Sequence, residues 1–414
     1  MNFKSPRGTH DIFGLDALNI SLLEQKAEEV FRRHGFEEIR TPIFEDAALF
    51  TRSVGQATDI VEKEMYIFED RKGRKLALRP EGTASLARAF VEHKIDISNS
   101  AGKFFYSGEM FRYERPQAGR YRQFQQIGAE FYGNSSPAAD AEIIILARDI
   151  LAAVGIEKIN VYINSLGCEK CRPLFREAIV KYFNSVDGLC QDCTRRLEKN
   201  PLRLLDCKTD SIKFTSAPQI FNYLCSNCKD NFNKVQFLLQ KADCRCILNS
   251  KLVRGLDYYT GTVFEIRTNS QSCQDTLAAG GRYDNLIKEI GGKGTPAVGF
   301  ALGVERVLSA AQMNGFFNNL KQPEKIFIAI ADQELFGEAF AFAVKTAKNG
   351  FNGSKDISVF GPINGQSLKS QLRYADKIKT VKTILFAKNE FEKGKVLIKD
   401  MLKKTQSEAE ISKL

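Results

Sequence analysis

Histidine is scarce in this chain of 414 residues: only His10, His34 and His93 occur. Carboxylates, arginines and tyrosines must therefore carry most of any chemistry. Long apolar runs are missing as well. Nowhere do about 18 apolar residues follow one another, and the opening MNFKSPRGTHDIFG lacks the apolar stretch of a secretory signal, so no membrane association and a cytoplasmic location are expected. A disulfide framework is excluded by scale, because ten cysteines in so long a chain, several of them as Cys-x2-Cys pairs, suit thiolates or metal instead. What the chain does have is material for a large core, 43% hydrophobic residues, and a length that calls for two or three domains. Its formal charge of +10 and pI near 9.0 suit a polyanionic partner.

The densest signal is Gly108 to Gly133, GEMFRYERPQAGRYRQFQQIGAEFYG. Lys103 to Phe111 and Phe124 to Tyr132 have the apolar and aromatic content of strands. Between them Arg112, Arg115, Arg120 and Arg122 crowd a loop punctuated by Pro116 and Gly119. Like charges held this close repel one another, and the planar guanidinium matches phosphate. A solvated basic loop is the plainer alternative. Glu109, Gln126 and Glu130 on the flanking strands add amide and carboxylate groups, which suits a site for a nucleotide and an amine together.

Around this hairpin the pattern is regular. Leu18, Leu23, Ala27, Val30 and Phe31 fall at helical spacing, with Asp16 as a candidate cap and Gly35 as a stop. GFEEIRTPIFEDAALF reads as a strand interrupted by Pro42, which belongs at a sheet edge or a partner contact. LALRPEGTASLARA turns from strand to helix at Glu81, whose carboxylate either satisfies the helix N–H groups or enters a pocket. Residues 138–154 read as a helix and 158–163 as a strand. LVRGLDYYTGTVFEI reads as a strand that packs Arg254, Asp257, Tyr258 and Tyr259 together. The string AAGGRYDNL, from Ala278, has Gly280 and Gly281 where a flat substrate needs close approach to backbone. In AVGFALGVERVL, Gly299, Ala301 and Gly303 alternate on one strand face before a helix carrying Arg306, leaving room for a planar base under an arginine.

Nine of the ten cysteines lie between Asn164 and about Asn249, a polar and largely helical stretch. Cys168-x2-Cys171 and Cys190-x2-Cys193 stand eighteen residues apart, close to zinc-ribbon spacing, and Cys225-x2-Cys228 and Cys207 follow. Three pairs exceed the four ligands that one Zn²⁺ takes, and spacing does not select among them. Thiols of a helical insertion without metal are the alternative. Beyond residue 322 the order is strand (325–331), helix (339–348), strand (357–360), helix (367–378) and strand (383–387), a small α/β unit carrying half of the net positive charge.

These strings, in this order, resemble the histidyl-tRNA synthetases, class II aminoacyl-tRNA synthetases. The Pro42 stretch is similar to motif 1, FRYERPQAGRYRQFQQIGAE to motif 2 and GFALGVER to motif 3, with Ala301 where many class II enzymes have glycine. RPEGT, LVRGLDYYTG and AAGGRYDNL resemble the family's histidine-specific signatures. The resemblance implies a mixed α/β (α+β) chain: an antiparallel class II catalytic core at 1–165 and 249–321, a mainly helical insertion at 166–248, and an α/β anticodon-binding domain at 322–414. It implies a homodimer that joins L-histidine to tRNA(His) with ATP and Mg²⁺.

By the same resemblance, Arg112 and Arg254 would flank the α-phosphate, with Arg254 in place of a second cation. Glu81, Thr83, Gln126, Glu130, Tyr258, Tyr259, Gly280 and Gly281 would hold histidine. Arg120, Tyr121, Gly303 and Arg306 would join Arg112 in binding ATP, while Arg115 and Gln117 would reach the tRNA acceptor end. Any zinc would be structural, on four of Cys168, Cys171, Cys190, Cys193, Cys225 and Cys228, since most of the family manages without metal. The competing expectation is the catalytically silent paralogue that regulates ATP phosphoribosyltransferase by sensing histidine.

Overall fold

The computed structural model describes residues 3–55, 58–95, 102–117, 119–207, 209–214, 216–268, 275–319 and 323–414. They form two compact units, one up to Asn318 and one from Asn319. The boundary expected at 321/322 lies outside the described residues.

The first unit is built on an eight-stranded sheet. Glu37–Glu38 pairs parallel with Lys103–Phe111 at one edge. Next come Gln123–Tyr132, Ala297–Gly303, Thr276–Arg282, Thr260–Thr268 and Ile159–Ser165, each antiparallel to its neighbour. Cys246–Leu248 closes the far edge in parallel with Ile159–Ser165. Alternation along the strands separates two faces. Phe105, Ile127, Ala129, Phe131, Val298, Phe300 and Leu302 enter one core, which helices Leu15–Arg33, Pro137–Ala153, Ser226–Lys241 and Val304–Met313 cover. Gln126, Gly128 and Glu130 therefore turn to the other face, opposite Gly303, Ala301 and Gly299 in register. Polar groups on one strand beside small residues on the next give that face a floor with room above it.

Several expectations are corrected by this arrangement. Helix Leu15–Arg33 starts from Gly14, with Asp16 inside its first turn, and Leu18 is exposed. Arg254, Tyr258 and Tyr259 lie in irregular chain ahead of strand Thr260–Thr268, and the Asp257 N–H donates to Val54 O at 3.1 Å. Gly280 and Gly281 also have a packing reason to be glycine. Gly280 pairs with Phe300 on the core face, where a Cβ would stand 2.1 Å from the Gly299 carbonyl oxygen. A Cβ on Gly281 would stand 2.5 Å from the Thr262 carbonyl oxygen. Close strand packing is what these glycines permit.

The stretch 166–248 is helical where expected, at Cys171–Phe183, Gln191–Lys199 and Ser226–Lys241, but it is not a separate compact unit. Phe232, Val235 and Leu239 of its last helix join the same core as helix Pro137–Ala153. A small sheet of Phe44–Asp46, Lys75–Leu78 and Ile67–Glu69 stands beside the main one, and Pro42 falls between strands.

In the second unit, Ile357–Phe360, Glu324–Ile330 and Lys382–Phe386 pair parallel, with helices Phe336–Asn349 and Leu368–Lys377. Two antiparallel strands, Lys395–Asp400 and Thr405–Glu410, extend this sheet beyond what the apolar pattern indicated. Among the described residues, no helix is long and apolar enough to cross a membrane.

Candidate active site

Strand Lys75–Leu78 runs into Arg79, whose buried guanidinium ties down the turn by donating to the carbonyls of Glu109 (2.8 Å) and Thr41 (3.0 Å). Glu81 follows. Its two oxygens accept the N–H groups of Thr83 (2.9 Å) and Ala84 (2.8 Å), so it caps helix Thr83–Glu92. It also faces the pocket, with the Tyr258 hydroxyl 3.5 Å from Oε2. The two readings of this carboxylate hold together. Burial pushes the Glu81 carboxyl above its usual range against the pull of its amide donors.

Behind Thr83 lies Glu130, fully buried. It accepts a 2.7 Å hydrogen bond from Thr83 Oγ1 and another from the Tyr283 hydroxyl. Burial pushes its carboxyl up to about 8. The ring of Tyr258 lies 4.6 Å from that of Tyr259 and 5.5 Å from that of Tyr283, centroid to centroid. Tyr283 was not singled out in the sequence, though its neighbours Arg282 and Asp284 mark an unusually polar end to a strand.

Beside these groups stand the cations. Arg254 Nη1 lies 2.5 Å from Glu265 Oε1, and the other oxygen of Glu265 takes Arg267 Nη2 at 2.6 Å. Burial works against the Arg254 charge, but Glu265, Tyr259 and Tyr258 more than offset it, so the guanidinium holds its proton more firmly than usual. Arg112 donates to the Pro80 carbonyl at 2.9 Å and lies over the Phe124 ring. Glu114 stands 3.3 Å from Arg120 and 3.9 Å from Arg112. Arg306 donates to the carbonyls of Gly119 (3.4 Å) and Thr276 (3.2 Å). Burial, with Arg120 and Arg112 nearby, lowers its pKa against the pull of Glu114 and Glu305.

Glu81, Thr83, Tyr258, Tyr259, Arg254, Glu265, Arg112, Glu114, Arg120 and Arg306 line one cleft of about 330 Å³, together with Gln126, Tyr121, Ala301, Gly303 and Glu305, while Arg79, Glu130, Tyr283 and Arg267 support it from outside. The Glu305 carboxylate accepts the Gln125 N–H at 2.8 Å, fixing the motif 3 helix against the hairpin. The loop arginines divide. Arg112 and Arg120 enter the cleft, whereas Arg122 stacks on Tyr113, its guanidinium carbon 3.9 Å from the ring centroid. Arg115 and Gln117 are exposed at the tip, outside the cleft. The PRGTHD stretch, Pro6 to Asp11, closes over the hairpin: the Gly8 carbonyl accepts the Arg122 N–H at 2.8 Å, and His10 packs on Tyr121. Tyr283 and His10 escape sequence reasoning because their partners lie far along the chain, and Glu265 because the irregular turn before its strand is what brings Arg254 back to it.

A family model described as Histidyl-tRNA synthetase matches residues 8–307. The chain belongs to the histidyl-tRNA synthetase family. Among curated members of the family, the histidine–tRNA ligase of Endomicrobium trichonymphae is 69% identical over 412 residues and that of Aquifex aeolicus 45% identical over 417, each aligned over the full length of both chains. The apo histidyl-tRNA synthetase of S. aureus superposes with a TM-score of 0.82 at 31% identity, covering 99% of this chain and 98% of that one. The large antiparallel sheet is thus the family's catalytic fold.

Away from the cleft, the cysteines sort themselves spatially. Cys168 and Cys171 converge with Cys225 and Cys228, not with Cys190 and Cys193. The latter pair meets Cys207 and Asp210, two residues absent from the ligand set expected from spacing. Zinc-ribbon spacing therefore suggests a pairing that the fold does not make.

Proposed function

We propose that this cleft activates L-histidine with ATP and then hands the histidyl group to tRNA(His). The observation that carries this reading is one cavity that gathers the buried Glu81 carboxylate and the tyrosines Tyr258 and Tyr259 with the cations Arg112, Arg254 and Arg306. The chain functions as a histidine–tRNA ligase, as do its full-length relatives. The regulatory paralogue is the less supported reading, since the chain retains the three arginines and a second unit from Asn319.

In the first step the histidine carboxylate attacks the α-phosphorus of ATP, and the bond to the β-phosphate oxygen breaks to release pyrophosphate. In the second, a terminal ribose hydroxyl of the tRNA attacks the acyl carbon and AMP leaves with the bonding pair. Charge builds on the α-phosphoryl oxygens in the first step, so Arg112 and Arg254 act by standing ready on either side. Arg306 and Gly303 receive the adenine end, with Arg120 and Tyr121 beside it, and Mg²⁺ arrives as part of the ATP complex. Glu81 and Gln126 take the α-ammonium group; Tyr258, Tyr259 and Glu130 take the imidazole. Arg115 and Gln117 reach toward the acceptor end of the tRNA, while lysines of the second unit add salt-dependent affinity for its backbone. Exposed Ile43, Phe44, Ile67 and Phe68 beside Pro42 support a homodimer face. The enzyme works in the cytoplasm.

ATP–pyrophosphate exchange, run with each of the twenty amino acids in turn, tests the reading. Exchange with histidine alone is expected. Folded protein that binds histidine without exchange would leave the regulatory reading in its place.

Glu130 adds a pH signature. With its carboxyl pushed up to about 8 by burial, it is mostly protonated at pH 7, and an imidazole N–H favours the ionised form, the stronger acceptor. Histidine binding at pH 7 is therefore expected to release up to one proton, and affinity to rise with pH until about 8. Calorimetry in buffers of different ionisation enthalpy reads the proton. The Glu130→Gln variant should bind without release, and a wild-type signal independent of buffer would reduce Glu130 to a structural role.

A further inference from the structure

We infer that the region between the sheet strand Ile159–Ser165 and helix Ser226–Lys241 holds two mononuclear zinc ions, one on Cys168, Cys171, Cys225 and Cys228 and one on Cys190, Cys193, Cys207 and Asp210. In each group the four ligand atoms lie within 4.8 Å of one another. That leaves space for a single ion and none for a polynuclear cluster. A tetrahedral ion with Zn–S bonds of about 2.3 Å sets its sulfurs about 3.8 Å apart. The recorded separations are 3.6 Å for Cys168–Cys171, 4.0 Å for Cys168–Cys225 and 3.8 Å for Cys190–Cys207. Disulfide sulfurs would be about 2.05 Å apart.

Both groups have the same plan. Each takes two pairs spaced by two residues, and in the second group Asp210 stands where the pattern Cys207-x2 calls for another cysteine. A carboxylate oxygen is an ordinary zinc ligand, so the substitution preserves the count of four. Backbone N–H groups already point at the sulfurs: Cys225 N to Cys171 Sγ at 3.1 Å, Cys193 N to Cys190 Sγ at 3.4 Å and Asp210 N to Cys207 Sγ at 3.4 Å. Such bonds stabilise thiolate and orient it, the support that metal ligands need. Cys171, Cys193, Cys207 and Asp210 are all buried, so the second group places a carboxylate among thiols inside the protein. Asp210 also pairs with Lys213 at 3.3 Å and accepts the Cys190 N–H at 2.8 Å, contacts that hold its carboxylate ionised and aimed at the thiols.

The ions would have distinct structural work. The first joins the chain where it leaves the sheet to the start of the helix that returns to the core, closing residues 172–224 into a loop. The second brackets helix Gln191–Lys199 and the turn after it. From that bracket Arg203 and Arg195 pair with Asp59 at 2.7 and 3.3 Å, and Asn200 donates to Asp257, next to Tyr258, at 2.6 Å. Binding displaces the thiol protons and makes metal affinity part of folding stability.

The test reads metal without turnover and so stands apart from the ligase reading. The full chain is purified without chelator, supplied with Zn²⁺, desalted and analysed by elemental mass spectrometry. Two zinc ions per chain are expected in the wild type, and one each in Cys225→Ser and Cys207→Ser. Because such variants can misfold, the wild type is also loaded with Co²⁺, where sulfur-to-cobalt charge-transfer bands and intense d–d bands mark tetrahedral thiolate sites. Fewer than two zinc ions per wild-type chain, a cobalt spectrum lacking those bands, or cysteines recovered as disulfides from freshly prepared protein would overturn the inference.

Discussion

Replacing Arg254 by alanine should lower histidine-dependent ATP–pyrophosphate exchange by about 10²–10³-fold, the range for deleting one preorganised charge at a reacting centre. The loss should fall on the rate, with the KM for histidine changed little, because the proposed function assigns Arg254 to the α-phosphate. The fold should survive. Glu265 loses its 2.5 Å partner but keeps Arg267, which donates to it from Nε at 2.9 Å and from Nη2 at 2.6 Å. Arg254→Lys should recover only part of the rate, since an ammonium lacks the planar fork. Circular dichroism beside the exchange assay separates the two effects. A folded Arg254→Ala enzyme with a near-normal rate would remove Arg254 from the chemistry.

The largest expected loss of stability lies elsewhere, at Arg282. Its Nε stands 3.1 Å from both oxygens of Asp140, and Nη1 donates to Asn134 O and Asp284 Oδ1, each at 3.1 Å. The side chains of Arg282 and Asp140 are only 8% and 3% exposed, so water cannot replace either partner. Arg282→Met should cost about 3–5 kcal/mol, mostly because Asp140 is left buried without a counter-charge. Arg282→Met with Asp140→Leu should regain much of that loss. Urea denaturation of the two single variants and the double variant measures the coupling. A single-variant loss below about 1 kcal/mol would mean that the pocket admits water or that Asp140 simply takes a proton.

Much of this architecture is legible from local pattern. The hairpin from Lys103 to Tyr132 is readable because aromatic strands bracket a loop rich in arginine, proline and glycine, and the structure places its strands within a residue of that reading. Helix Pro137–Ala153 and the alternation of Gly299, Ala301 and Gly303 are equally local. Groups whose roles come from neighbours across the sheet are not readable in this way. Gly280 looks like a substrate contact alone until the Gly299 carbonyl is seen against it, and Arg122 looks like a phosphate ligand until Tyr113 is found beneath it. Tyr283 gains its meaning from Glu130, distant in the chain and on another strand, and Glu265 from Arg254, which an irregular turn brings back to the strand. Asp210 is harder still, since an aspartate among cysteines carries no signal until the chain brings it to Cys190.

The double duty of Glu81 bears on how this site could respond to an inhibitor. Its two oxygens are already committed to the first amides of helix Thr83–Glu92, while the same carboxylate faces the cleft. A substitution there that weakened a competing molecule would also unseat the helix and, on the proposed function, the grip on histidine. A compound whose affinity comes mainly from Glu81 should therefore meet few viable resistance mutations. One that leans on exposed Arg115 or Gln117 would leave the target free to drift away from it.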